Sequence, residues 1–256
     1  MPLDLSKVPG VRMQSADELS APPTFLFYGK GKTGKTTLAC SAAAVPELSP
    51  VAVVDFEGST ESVAGLYDVD VYRVTNWTQA AGVLDALINQ SHDYRTVVLD
   101  PVNALQTMLK DELIRRQAQT QPNAKSNNSM GDRSLLQSDW DVIWTRMRKI
   151  LETYHAAPFT TILTAHADTV QDDLGRTMME PLMQGNKTKN EVTRVPSVVG
   201  YVQMSQDSEG NVFPVVRFAG SKGIIAGDRF RKLGVGLENP TMQTIYDKIY
   251  KNESEN

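Results

Sequence analysis

The 256 residues of the chain are enough for one large α/β domain with a filled core, and too few for two such domains with a linker. Hydrophobic residues make up 41% and charged residues 22%, which indicates a globular protein, and no apolar stretch reaches the roughly 20 residues that a membrane span requires. The net charge of −4 argues against a globally basic nucleic-acid binder but permits local basic patches. The segment from Met1 to Lys7 lacks the apolar core of a signal peptide, and the single cysteine, Cys40, excludes a disulfide framework and a cysteine metal site. We therefore expect a cytoplasmic protein without membrane contacts.

A glycine-rich segment follows the first predicted strand. The residues from Thr24 to Tyr28 lead directly into the run Gly29-Lys30-Gly31-Lys32-Thr33-Gly34-Lys35-Thr36, which matches the pattern G-x-x-x-x-G-K-[ST]. A predicted helix then covers Thr37 to Ala44. This order predicts a phosphate cradle, because successive backbone N–H groups and the helix dipole meet an anion there.

The cradle predicts ATP and Mg²⁺ as cofactors. We expect the Lys35 side chain to reach the β- and γ-phosphates and the Thr36 hydroxyl to hold the metal. The predicted nucleotide-binding residues are the whole run from Gly29 to Thr36 together with Thr37.

The following elements alternate between strand and helix. Pro50 to Asp55 is a continuous apolar run of the kind buried in a parallel sheet, and Val71 to Val74 is a short strand. Thr75 is the predicted cap of a helix over Trp77 to Asn89, and Arg95 to Asp100 is the next strand. Alternation of this kind predicts right-handed βαβ units and a mainly parallel sheet.

Three carboxylates stand at or near the ends of these strands. Asp100 ends an apolar strand, a position from which a carboxylate can bind nucleotide and take part in the Mg²⁺ shell. Glu57 lies two residues after Asp55, so at strand spacing both would face the same way. We interpret Glu57 as the general base that polarises the attacking water, whereas Gly58 and Ser59 favour a turn-forming role as the alternative for Asp55.

A polar segment separates this half from the next apolar elements. The residues from Gln117 to Ser134 are nearly free of large apolar side chains and predict a mobile loop. A capped helix is predicted from Ser138, followed by a strand over Phe159 to Thr164. His166 is predicted to end that strand at the edge where open α/β sheets bind ligands, and its imidazole can bond a γ-phosphate.

The carboxyl third has a different pattern, with two predicted antiparallel hairpins. The first is centred on the turn 172–175, and the second joins the strands 197–205 and 211–219. A last helix is predicted with Asn239 as cap and Pro240 at its first position. Two basic segments stand out, namely Lys187, Lys189 and Arg194 in the first and Lys222, Arg229, Arg231 and Lys232 in the second.

The order of these motifs resembles the RecA-type branch of the P-loop ATPases, most closely the compact phage-encoded RecA-like proteins of single-strand annealing and recombination. The resemblance rests on Gly29 to Thr36 as the first Walker motif, Val54 to Glu57 as the segment with the catalytic glutamate, and Val97 to Leu105 as the second Walker strand. His166 falls where that branch has a polar γ-phosphate sensor. The resemblance covers about residues 20 to 235.

The resemblance implies a DNA-dependent ATPase of a phage, located in the host cytoplasm and acting in recombination, annealing or replication. Its implied partners are single-stranded DNA, further copies of the chain in a ring or filament, and a single-strand-binding protein. By similarity, the segments 117–134 and 167–196 would face DNA, with Lys187, Lys189 and Arg194 as contacts. The segment from Lys222 to Phe230 looks like a late basic motif in which Arg229 acts across the subunit boundary.

The predicted organisation has an extension over residues 1–22, an ATPase core over 23–238, and a carboxyl-terminal helix and polar tail over 239–256. Within the core, the mobile loop covers 117–134 and the hairpin region 167–197.

Other classes remain open at this point. Lys30 stands where the ParA/MinD-like ATPases carry a second lysine, which makes that class the first alternative. A small-molecule kinase would need an arginine-bearing lid, and the segment 117–134 has few arginines. The alternative from a different class is an adaptor that binds nucleotide without hydrolysing it and binds DNA or a replication protein. A measurement of ATP turnover distinguishes it from the ATPases.

Overall fold

The computed structural model describes residues 21–120, 135–171, 174–221 and 223–251. Most of the predicted extension, the loop residues 121–134, Lys222 and the polar tail from 252 onward lie outside this part of the chain.

The first half alternates strands and helices, as expected from its apolar runs. The elements are β1 (Thr24–Gly29), α1 (Lys35–Cys40), a 3-10 turn (Ser41–Ala44), β2 (Val51–Asp55), a second 3-10 turn (Ser59–Val63), β3 (Asp70–Arg73), α2 (Trp77–Asn89) and β4 (Thr96–Asp100). Strands β1, β2 and β4 are buried along their whole length, which explains their continuous apolar sequences.

The second half begins with two long helices and ends with antiparallel strands. The elements are α3 (Val102–Thr120), α4 (Gln137–His155), β5 (Thr160–Gln171), β6 (Thr177–Pro181), α5 (Asn186–Arg194), β7 (Val198–Gln206), β8 (Val212–Arg217), β9 (Gly227–Asp228), β10 (Gly236–Glu238) and α6 (Met242–Tyr250). None of the helices in the described ranges is both long enough and apolar enough to cross a membrane.

The described strands form one sheet in the order β10-β8-β7-β1-β5-β4-β2-β3, with β6 beside β5 and β9 beside β7. In this order, every neighbouring pair from β7 to β3 is parallel. Strands β6, β8, β9 and β10 pair antiparallel with their neighbours. The predicted α/β fold, with a mainly parallel sheet and antiparallel strands in the carboxyl third, is therefore confirmed. The register places His166 beside Gly29 and Asp100 beside Asp55, so the predicted site residues meet at one edge.

Both faces of the sheet are covered. Leu26 and Tyr28 of β1 face a core that includes α2, α3 and α4, and Phe25 and Phe27 face a second core that includes α1 and α6. Cys40 is fully buried in the second core.

Three predicted helix boundaries are wrong. Helix α3 continues to Thr120, so residues 117–120 belong to it and not to a loop. The cap of α2 is Asn76, whose side chain accepts from Gln79 N, while Thr75 N donates to the Gln79 side chain. Helix α6 begins after Thr241, whose hydroxyl caps it, because Asn239 adopts a φ of 45° outside the helix.

Helix α4 and strand β5 also differ from expectation. Helix α4 begins at Gln137, where the Asp139 carboxylate accepts from the backbone N of Leu136. Strand β5 runs to Gln171, so His166 lies within a strand and does not end one. The reason is that β6 takes over as the neighbour of β5 where β4 stops.

Candidate nucleotide-binding site

The glycine-rich segment connects β1 to α1 in the conformation of a phosphate loop. Gly34 precedes α1 with a φ of 89°, in the left-handed region that favours glycine. Gly29 is packed so tightly that a Cβ atom would lie 2.1 Å from the carbonyl oxygen of Val202. The Thr33 hydroxyl donates to the Lys30 carbonyl over 2.9 Å, which closes the loop on itself.

The Lys35 side chain lies under this loop. Its Nζ donates to the Lys30 carbonyl oxygen over 2.8 Å, and only 7% of the residue is exposed. Burial lowers the pKa of Lys35, and the negative charges of Asp100 and Glu57 oppose that shift. A buried ammonium group beneath a glycine-rich loop that opens a helix fits the phosphates of a nucleotide.

The Asp100 carboxylate is the centre of a hydroxyl cluster. Thr36 Oγ1 and Ser59 Oγ both donate to Asp100 Oδ2 over 2.8 Å, and Thr164 Oγ1 donates to Oδ1. These oxygens come from α1, from the 3-10 turn after β2, and from β5. A hydroxyl and a carboxylate at this spacing are the ligand types that Mg²⁺ binds, so Thr36 and Asp100 fit the predicted metal site.

Asp55 occupies a different environment from Glu57. Strand β2 ends at Asp55, which is fully buried, so the expectation that both carboxylates face the same way is wrong. Asp55 Oδ1 accepts from the backbone N of Glu57, Gly58 and Ser59 over 3.1, 2.7 and 3.1 Å. Burial opposes ionisation of Asp55, but the hydrogen bonds from Thr60 and the turn backbone outweigh it and lower the pKa. Asp55 therefore shapes the turn that presents Glu57.

Glu57 and His166 meet at the same edge of the sheet. His166 Nε2 lies 2.9 Å from Glu57 Oε2, and the two side chains are 32% and 36% exposed. The pair therefore borders solvent, beside the buried Lys35 and Asp100. A carboxylate here can accept a proton from water, and an imidazole can bond a phosphate oxygen.

A groove of about 230 Å³ adjoins the phosphate loop. It is lined by Lys32, Thr33, Gly34 and Thr37 on one side and by residues such as Tyr67, Pro214 and Pro240 on the other. Its largely apolar walls suit the non-phosphate part of a nucleotide. A cavity of about 490 Å³ between β3 and α2 includes Pro50 and Tyr94, which precede β2 and β4, and so lies at the opposite end of the strands.

The basic residues that were predicted to contact DNA lie on α5 and are paired with carboxylates. Lys187 Nζ lies 3.4 Å from Asp141 Oδ1 and 5.0 Å from the Trp144 ring centroid. Lys189 Nζ bonds Glu180, and Arg194 bonds Glu191. DNA contact by these three residues stays a prediction, and it would require them to exchange these partners for phosphates.

Arg229 lies far from the phosphate loop of its own chain. Its backbone N donates to Ser197 O over 3.0 Å, and Ser197 N donates to Thr24 O over 2.7 Å, which places Arg229 beside the start of β1. The loop begins at the other end of β1, about 17 Å away at the rise of a strand. The Arg229 side chain bonds the carbonyl of Arg194 and is exposed. An action of Arg229 on a nucleotide therefore requires a neighbouring copy.

Sequence reasoning missed several residues of this site. Ser59 and Thr164 lie outside the predicted motifs, and Asn103 lies within the segment Val97 to Leu105 without a predicted role. The first two bond Asp100, and Asn103 bonds the backbone of His166. The sequence offered only weak signals for these roles, namely that Ser59 lies two residues after Glu57 and Asn103 lies three residues after Asp100.

The fold and the site together have the features of the P-loop NTPase class, with a phosphate loop between β1 and α1. A family model described as an AAA domain, AAA_24, matches residues 21–230. The chain belongs to this family. No curated protein matches the chain.

The solved structures that are similar to the chain at low identity include the following three. The RadB recombinase is 15% identical, with 85% of this chain and 87% of that chain covered and a TM-score of 0.49. A KaiC-like protein of Pyrococcus horikoshii is 15% identical, with 76% and 78% covered and a TM-score of 0.43. The flagellar accessory protein FlaH of Methanocaldococcus jannaschii is 12% identical, with 77% and 78% covered and a TM-score of 0.41.

Proposed function

We propose that the protein hydrolyses ATP with Mg²⁺ and that single-stranded DNA stimulates this reaction. The observation that carries the proposal is the position of Glu57: its carboxylate lies at the edge that holds Lys35, Thr36 and Asp100, and it is bonded to His166 over 2.9 Å. A phosphate cradle alone serves many chemistries, whereas a solvent-bordering carboxylate beside it is what hydrolysis requires.

Each residue of the site would have a distinct role in hydrolysis. Lys35 would neutralise phosphate charge, and Thr36 and Asp100 would hold the metal ion, which when bound draws electron density from the phosphates. Glu57 would accept the proton of the attacking water, and His166 would bond the γ-phosphate oxygens as charge develops on them. Asp55 fixes the turn that carries Glu57 through its hydrogen bonds to the backbone.

The role of DNA rests on the resemblance of the motif order to RecA-like recombination proteins. The segment 167–196, which would face DNA in such a protein, begins with the β5–β6 hairpin, and His166 lies on the strand that leads into it. DNA bound at the hairpin could therefore act on the Glu57–His166 pair without a separate signalling element. A role in phage recombination, annealing or replication, in an oligomer, follows from the same resemblance.

An ATPase assay with and without single-stranded DNA tests the proposal. We expect turnover to fall by about 100-fold or more in Glu57→Gln, because the general base is removed. Glu61→Gln is the matched control, since Glu61 lies four residues away, is 84% exposed and is outside the predicted site. Lys35→Ala should weaken nucleotide binding, whereas Lys149→Ala on the exposed face of α4 should not.

Each part of the proposal has its own contrary outcome. If Glu57→Gln and the wild type hydrolyse ATP at the same measurable rate, Glu57 is not the general base. If neither hydrolyses ATP, the result favours the non-hydrolysing adaptor. If single-stranded DNA neither binds at low salt nor changes turnover, the DNA-dependent part is wrong.

A further inference from the structure

Strand β5 pairs with β1 along one edge through His166, but its other edge has a gap in pairing at the level of the site. It pairs with β4 up to Leu163 and with β6 from Ala167 onward, so residues 164–166 face neither strand. In this gap the side-chain oxygen of Asn103, Oδ1, accepts from the backbone N of His166 over 3.0 Å. The carbonyl of His166 accepts from Leu182 N over 2.7 Å. A side chain thus supplies the hydrogen bond that a neighbouring strand supplies elsewhere.

Helix α3 makes a second contact of this kind one turn further on. Gln106, which is 3% exposed, donates from Nε2 to Gln184 O over 2.8 Å and accepts at Oε1 from Gln184 N over 2.8 Å. Asn103 and Gln106 are three residues apart and so share a face of α3. Helix α3, which begins two residues after Asp100, therefore holds the backbone both before and after the β5–β6 hairpin.

We propose that Asn103 is a positioning residue for the hydrolytic site. Its amide oxygen fixes the backbone of His166, so that the imidazole meets Glu57, and it connects the hairpin to the helix that follows Asp100. This inference rests on the proposed hydrolysis, in which Glu57 and His166 act directly. The Asn103 side chain bonds the backbone of His166 and would act through that residue.

Two substitutions of similar size separate the role of the oxygen from that of packing. Asn103→Leu removes the acceptor, and Asn103→Asp keeps an oxygen at the same place. Thr107→Ala is the matched control, because the exposed Thr107 hydroxyl bonds Asn103 O within α3 and does not contact β5.

The first measurement does not depend on hydrolysis. The chain has three histidines, so the untagged protein labelled with nitrogen-15 histidine gives three backbone amide signals, of which His166→Gln removes one. We expect exchange of the His166 amide hydrogen to accelerate by about tenfold in Asn103→Leu and to stay within about threefold of the wild type in Asn103→Asp. The amides of His92 and His155 should be unaffected, and Thr107→Ala should match the wild type.

The second measurement is steady-state ATP turnover. Asn103→Leu should lower kcat by about tenfold with KM for ATP nearly unchanged, because the cradle from Gly29 to Thr36 is not touched. Asn103→Asp should retain most of kcat. The rates are divided by the concentration of folded protein, because a loss of stability alone would also lower the apparent kcat with KM unchanged.

The outcomes separate this inference from the proposed function. If the His166 amide of Asn103→Leu exchanges like the wild type, or if both substitutions lower kcat equally, the positioning role is wrong. If the wild type does not hydrolyse ATP, the proposed function fails while the exchange result still decides whether Asn103 holds His166. Accelerated exchange with unchanged kcat would overturn the link from His166 to Glu57.

Discussion

Asp55 and Asp100 lie directly opposite each other on the neighbouring parallel strands β2 and β4, yet their carboxylates bond different partners. Asp55 accepts mainly from the backbone of the turn that follows it, whereas Asp100 accepts from the hydroxyls of Thr36, Ser59 and Thr164. Two chemically identical residues in equivalent positions therefore have separable roles, one in the shape of the turn and one in the predicted metal site.

Asp55→Asn should destabilise the fold by about 2–3 kcal/mol, because an amide cannot accept at both positions where the carboxylate is bonded by charge-assisted hydrogen bonds. Thr60 Oγ1 donates to Asp55 Oδ2 over 2.7 Å, and an NH₂ group at that position would face a donor. Chemical denaturation measures the free energy of unfolding. Asp68→Asn on the exposed surface is the control, and an equal, small effect of both changes would contradict this account.

The contribution of Asp55 should depend on pH with a defined sign. Its pKa is lowered in the folded protein, so the unfolded chain binds a proton first as the pH falls. The difference in unfolding free energy between wild type and Asp55→Asn should be constant near neutral pH and shrink below about pH 4. Denaturation curves at a series of pH values test this, and a difference that grows on acidification would refute it.

Thr36→Val and Thr36→Ser form a matched pair for the metal site. Valine keeps the shape but lacks the hydroxyl that lies 2.8 Å from Asp100 Oδ2, and serine retains it. We expect Thr36→Val to lower turnover by about 100-fold and to raise the Mg²⁺ concentration at half-maximal rate, because a ligand oxygen is lost. Thr36→Ser should stay near the wild type. Identical Mg²⁺ titrations for the two variants would argue against a metal ligand at this position.

Arg229 can be tested by mixing two inactive variants. Because Arg229 lies at the opposite end of β1 from Gly29, it would serve a nucleotide on a neighbouring copy. Arg229→Ala and Glu57→Gln should each lack turnover alone and recover part of it when mixed, since some interfaces then combine an intact arginine with an intact glutamate. If the mixture hydrolyses ATP no faster than the separate variants, the hypothesis of a site shared between two copies is wrong.

The central strands of the sheet could be predicted because their local sequences are sufficient to identify them. Val51 to Val54 and Val97 to Leu99 are buried on both faces, and continuous apolar runs are what such strands need. The phosphate loop could also be predicted from local sequence, since its whole pattern lies within eight residues. The cap of α2 was predicted one residue too early, because the neighbouring residues Thr75 and Asn76 are both good capping residues.

The remaining parts of the site could not be predicted because they depend on contacts between distant segments. Asn103 bonds a backbone group 63 residues away, and its acceptor role exists only because β4 ends before β6 begins. The length of β5 depends on β6 in the same way. The partners of Lys187 and Lys189 also come from other elements, so their basic sequence alone suggested exposed cations.

The packing of Gly29 affects how variation at this position should be read. Any side chain there would collide with the carbonyl of Val202 and separate β1 from β7. A mutational scan that selects only for folded protein should therefore keep glycine at position 29 even in the absence of ATP. Gly31, where a Cβ meets nothing within 4 Å, should tolerate other residues in that scan. Intolerance that appears at Gly31 only under selection for nucleotide binding would then distinguish ligand recognition from packing within the same loop.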